Sequence, residues 1–243
     1  MIFRKNSDSL LHSNVIFNAF ITLIWLILSP ALLNAQNAEH GRSIQTEFTC
    51  VSWNKPISSA LYVRNGEEMV PLRIHNMQRS QSMEYSGLNP VVFHTKTKND
   101  HGETIYKPIA EASIPIGIEK PLLFFVENED QYQIIALEDS FAQYPNGSYR
   151  FYNFTEKDLL AKFGEQTINL KPKKTIFLEQ PFNTSKEYPV AFVLRDPDGV
   201  KPLYTNKWRH SENFRYLIFV SESGSRDVSP IQFKVLADYP ISN

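Results

Sequence analysis

The chain has 243 residues, with 25 Lys and Arg against 26 Asp and Glu, for a net charge of −1. That balance supplies no long-range field to gather nucleic acid or anionic lipid, so neither is expected as a partner. Nine glycines leave little room for phosphate-cradling loops, and a single cysteine, Cys50, rules out an intrachain disulfide.

In chain order, Arg4 and Lys5 precede an apolar run from Val15 to Leu28 that ends in "SPALLNAQ". This is the layout of a secretory signal peptide over residues 1–35, cleaved after Ala35. An uncleaved anchor is the alternative, because Val15 to Leu33 is 19 residues long, near the roughly 20 that cross a hydrocarbon core. Asn18, Thr22, Ser29 and Pro30 weaken such a span. The expected location is exported, periplasmic or extracellular, with membrane contact only through this segment if it stays attached. Removing it leaves 208 residues, enough for one large β domain or two modules near a hundred each.

From residue 44 onward, short β-prone runs alternate with turn signals, which predicts an all-β fold. "FTCVSW" reads as a strand carrying Cys50 as a small core hydrophobe. There follow "SALYVR" (59–64), "MVPLRIH" (69–75), "PVVFHTKT" (90–97), "LLFFVEN" (122–128) and "YQIIAL" (132–137). The second half offers "GSYRFYNF" (147–154), "QTINL" (166–170), "YPVAFVLRD" (188–196), "RYLIFVSE" (215–222) and "IQFKVLA" (231–237). One segment, "EKDLLAKF" (156–163), reads as a helix.

Part of the chain is said twice. "VVFHTKTKNDHG", followed by a strand containing "IYKPI", parallels "AFVLRDPDG", followed by "KPLYT". "PLLFFV" and "YLIFV" then occupy matching places. Both are apolar on successive residues, the mark of strands covered on both faces. The expected architecture is two tandem β-sandwich modules, immunoglobulin-like in broad shape, over 44–140 and 141–240 and joined at "EDSFAQYPNGSY".

Local spacing reveals no nucleophile turn, zinc helix or paired C-x-x-C. No catalytic residue, metal or cofactor is therefore assigned. His94 and His210 would bind a metal only if the fold brought them together. The acids of "ENED" (127–130) and "DPDG" (196–199) read as hairpin turns ahead of calcium loops. Asn146, Asn153 and Asn183 begin N-x-S/T triplets, relevant only in a host that glycosylates exported chains. Aromatic residues make up 13% of the chain. If exposed, Trp53, Tyr204 and Trp208 form a candidate ligand-binding platform for sugar faces, with core packing as the competing use of each ring.

The segments "YPNGSYRFYNFT", "KFGEQTINLKP" and "KWRHSENFRYLIFV" resemble a pattern found in exported bacterial proteins built of tandem β domains, whose function is unknown. The resemblance covers residues 44–238. It implies export and a β fold, and it transfers no catalytic residue, ligand or partner. The leading functional expectation is an exported non-catalytic binding or scaffold protein of the bacterial cell envelope or extracellular space. Its partner would be an unidentified macromolecule, a glycan or an envelope protein. A strand-adding variant of this reading would use Arg64 and Arg73 as basic anchors between the modules. The alternative is a secreted hydrolase assembled from Glu127, Asp198 and His210.

Overall fold

A computed structural model describes residues 41–128, 131–196, 199–223 and 231–238. The expected signal segment lies outside these residues, as do Asp198 and the last two acids of "ENED". Among the described residues the fold is all β.

The first half contributes β1 (Arg42–Ser52), β2 (Leu61–Asn65), β3 (Glu68–Leu72), β4 (Met83–Asn89), β5 (Val91–Lys98), β6 (Thr104–Ala112), β7 (Pro121–Asn128) and β8 (Gln131–Glu138). They form two sheets, in the orders β3-β2-β5-β6 and β4-β1-β7-β8. The second half contributes β9 (Tyr149–Asn153), β10 (Leu159–Phe163), β11 (Gln166–Leu170), β12 (Thr175–Leu178), β13 (Glu187–Asp196), β14 (Gly199–Arg209), β15 (Arg215–Glu222) and β16 (Ile231–Asp238). Its sheets are β11-β10-β13-β14 and β12-β9-β15-β16. Adding eight to each strand number of the first half reproduces the second.

The repeat extends to single residues. In the β5–β6 hairpin, Phe93 faces Ala110 and His94 faces Pro108, so Ile109 is an extra residue. In β13–β14, Phe192 faces Tyr204 and Val193 faces Pro202, so Leu203 is extra. The repeated "KPI" and "KPL" are thus one β-bulge used twice. Its proline sits on an edge strand, where a missing N–H costs no ladder bond.

No helix forms over 156–163, where Leu159–Phe163 is instead strand β10. Leu159, Ala161 and Phe163 are buried and alternate with less buried neighbours, which is the two-residue period of a strand. Pairing with β11 on one side and β13 on the other supplies more than the weak helical preference of eight residues.

Three apolar layers result. One, including Phe48, Cys50, Phe93, Leu123 and Phe125, fills the first sheet pair. Another, including Tyr149, Phe151, Phe163, Phe192 and Ile218, fills the second. The third joins the two inner sheets through Val51, Trp53, Leu122, Phe124, Tyr152, Leu217 and Phe219. Leu123 and Phe125 of β7 therefore serve one layer while Leu122 and Phe124 serve another, which explains the unbroken apolar run "LLFF".

At the centre of the third layer, Phe124 stacks on Phe219, with ring centroids 4.5 Å apart. Trp53 and Phe154 flank this pair and hold equivalent places: the Trp53 N–H donates to Phe125 O (2.9 Å) and the Phe154 N–H to Val220 O (2.8 Å). The two halves thus meet through one surface presented twice. Lys234 Nζ lies 4.2 Å from the Trp53 ring centroid and donates to the Trp53 carbonyl, while burial pulls its pKa below the ordinary lysine value.

Where the chain crosses between halves, Asp139 is buried. Arg79 grips both of its carboxylate oxygens. Arg215 donates to the Asp139 carbonyl (2.9 Å) and to its carboxylate (3.2 Å). Shared charged hydrogen bonds of this kind fix relative orientation, because few other arrangements satisfy them.

Candidate functional site

The aromatic residues singled out from sequence separate in space. Trp53 is 6% exposed, inside the layer between the halves. Tyr204 and Trp208 are neighbours on β14, half-buried against Phe192 and Phe233. Trp208 Nε1 donates to Tyr204 Oη (2.9 Å), and their ring planes are tilted by 61°. They do not form a coplanar platform.

The suggested acid and histidine groupings do not assemble among the described residues. Glu127 pairs with Lys55 at 3.0 Å, and Asp198 lies outside the described residues. His94, on β5, and His210, just past β14, belong to opposite outer sheets with both inner sheets between them. No group of His, Cys, Asp and Glu suited to a metal occurs among the described residues. Arg64 and Arg73 are exposed on the first half, while Arg79 and Arg215 occupy the join. Asn153 is buried, its amide donating to the carbonyls of Lys157, Leu170 and Lys171, so a glycan there is incompatible with this fold. Cys50 is fully buried, and desolvation raises its thiol pKa well above the ordinary range, which keeps it an inert part of the core.

A hollow of about 240 Å³ opens on the second half, lined by Tyr149, Lys207, Trp208, Arg209, Tyr216 and Val235. Edge strands β14 and β16 border it. In the first half the equivalent edges, β6 and β8, lie against each other, and among the described residues β14 and β16 make no comparable approach. The side chains follow suit. Trp208 stands six residues past the bulge proline Pro202, as Ile114 stands six past Pro108, and Ile114 is 2% exposed. Val235 corresponds to Ala136, since Lys234 pairs with Phe219 as Ile135 pairs with Phe124. Ala136 is half-buried against the first core, whereas Val235 is 43% exposed. One copy of the repeat is sealed where the other is open.

Behind the hollow lies a stack of rings. Tyr149 and Tyr216 are nearly parallel, 4.4 Å between centroids, and the Tyr216 hydroxyl accepts from the Ser211 N–H (2.8 Å). Tyr149 Oη is hydrogen-bonded to His210 Nδ1 (2.8 Å), and His210 is 1% exposed. Burial raises the Tyr149 hydroxyl pKa far above the tyrosine norm and lowers that of His210. Both groups are thus held neutral near pH 7. The hollow offers an aromatic surface bordered by Lys207 and Arg209.

No protein-family model and no curated protein matches the sequence.

Sequence reasoning passed over Lys207, Arg209, Tyr149 and Tyr216. The available signal was "KWRH" (207–210), in which a strand turns one aromatic inward between two cations. The partnership with Tyr149, some sixty residues earlier, has no sequence signature.

His210 also sets a pH dependence. Its folded pKa lies below the unfolded value because desolvation penalises the imidazolium, so the unfolded chain binds the proton more readily. The stability contributed by neutral His210 is full above the unfolded pKa of about 6.5 and is lost as pH falls through the folded pKa. Urea unfolding at pH 7.5 and 5.0 is expected to show a drop at the lower pH that shrinks in His210→Gln. An identical drop in the variant would place the effect elsewhere.

Proposed function

We propose that this chain is an exported, non-catalytic binding protein whose two sheet pairs are immunoglobulin-like sandwiches in tandem. The first half and the layer between the halves act as scaffold, and the hollow of the second half is the ligand seat. The observation that carries this reading is the internal contrast: the same fold, built twice in one chain, is closed over buried Ile114 where β6 meets β8 in one copy and left open beside Trp208 and Val235 in the other. Two copies under different requirements diverge where function lies, and packing alone would favour the sealed version. Export is supported by Arg4, Lys5 and the apolar run before "SPALLNAQ".

The test uses the two tryptophans of the described region as reporters. Indole N–H signals of Trp208 and Trp53 are followed while candidate glycans and envelope components are titrated in. A ligand of this seat is expected to shift the Trp208 signal, leave Trp53 unmoved, and lose its effect when Val235→Phe fills the opening. Silence at Trp208 across all ligand classes would overturn the assignment. Export is checked by sequencing the N-terminus of protein recovered outside the cytoplasm, expected to begin at Gln36. Recovery of the intact chain from the cytoplasm alone would refute it.

A further inference from the structure

We infer that the ligand of the hollow is an acidic sugar, a pyranose ring bearing a carboxylate, as in a uronic acid residue of a saccharide. The inference rests on the reading of the hollow as a binding seat and adds the chemistry of what it takes.

Size comes first. At about 240 Å³ the hollow falls below the roughly 300–1,000 Å³ of pockets that enclose drug-sized ligands, so it suits one ring, with the remainder of a longer molecule lying outside. Shape comes next. Trp208 packs on Phe163 and Phe192 toward the core while it also lines the hollow. With its N–H already donated to Tyr204, it presents an apolar surface suited to the C–H face of a sugar.

Charge decides between neutral and acidic sugars. Lys207 and Arg209 border the hollow, and no acidic residue lines it. Both are exposed, and an arginine fork matches a carboxylate through two parallel hydrogen bonds. A neutral sugar would gain from neither cation, whereas a carboxylate would meet Lys207 and would compete for Arg209 with Glu187, which stands opposite it in the β13–β14 pair.

The edge of β14 argues against the main competitor, an extended peptide added as a further strand. Pro202 has no N–H to offer and sits at the bulge. The Lys207 N–H is already donated to Asn206 Oδ1 (2.8 Å). An added strand would therefore meet interruptions near both ends of this edge. A ring held by side chains does not depend on those groups.

The experiment titrates the protein with oligogalacturonate and, separately, with its fully methyl-esterified form, which keeps the rings and removes the charge. The readout is the indole N–H signal of Trp208, with Trp53 as internal reference. A saturable shift at Trp208 is expected with the acid. Affinity should fall at least about tenfold with the ester and in the double variant Lys207→Gln/Arg209→Gln. Both of these side chains are solvent-exposed, so the variant is expected to fold, and an unchanged Trp53 signal checks this. Equal affinity for acid and ester, or for wild type and double variant, would overturn the acidic assignment. A neutral saccharide that moves Trp208 where the acid does not would overturn it while upholding the seat as a binding site. Acidic extended peptides acting in place of saccharides would overturn the sugar class. No response from any ligand would remove both readings together.

Discussion

Phe124→Ala is expected to destabilise the protein by about 3–5 kcal/mol. Phe124 is fully buried and touches rings from both halves, with centroids at 5.6 Å to Trp53, 5.8 Å to Phe154 and 4.5 Å to Phe219. Truncation opens a cavity between two hydrogen-bonded sheets, which cannot bend inward to close it. Phe219→Ala should cost a similar amount, because Phe219 is the matching ring from the other half. The double variant should fall short of the sum by about 0.5–1.5 kcal/mol, the coupling of a direct aromatic pair. Urea denaturation of the four proteins measures this cycle. Single-variant losses below about 1 kcal/mol, on the scale of a surface substitution, would mean that the halves do not pack through this layer.

The second large effect concerns the join. Asp139→Ala is expected to cost about 3–5 kcal/mol, because it removes the carboxylate that Arg79 and Arg215 share within a buried site. Replacing all three residues together, as Arg79→Met, Asp139→Leu and Arg215→Met, should cost much less than Asp139→Ala, since no charge is then left in the site. Melting temperatures of the wild type, single and triple variants test the pair of expectations. A triple variant worse than Asp139→Ala would show that the network stabilises the fold outright, beyond setting how the halves are oriented.

These two effects mark different degrees of legibility. The apolar run "PLLFFV" announces a strand covered on both faces, and its repetition as "YLIFV" announces a second. From that, a layered arrangement follows. The sequence could not announce that the outer face of one such strand would be covered by the other, because contact between distant segments depends on how the sheets close. Trp53 illustrates the difficulty. Beside polar neighbours in "VSWNKP" it reads equally as a surface ring or a core ring, and only its place opposite Phe219 resolves the choice. Asp139 lies within the join read from Pro145, Asn146 and Gly147, yet its partners come from residues 79 and 215.

The misread helix over 156–163 has a related cause. Leu159, Leu160 and Phe163 fall at helical spacing as readily as Leu159, Ala161 and Phe163 fall at strand spacing. In so short a segment, the neighbours on either side set the outcome. The weak strands β4 and β12, with glycine in one and only four residues in the other, are held by the antiparallel partners β1 and β9.

By itself the sequence determined the β class and the doubling of the plan. These are written in local periodicity and in residues whose backbone chemistry permits few conformations. The tertiary structure alone decided that the halves bond through their inner sheets, that Asp139 lies between two arginines, and that the hollow opens beside Trp208 while its counterpart is closed. Each of these depends on the distance between segments far apart in the chain. That distance is set by the summed packing of whole sheets, which no short stretch of residues encodes.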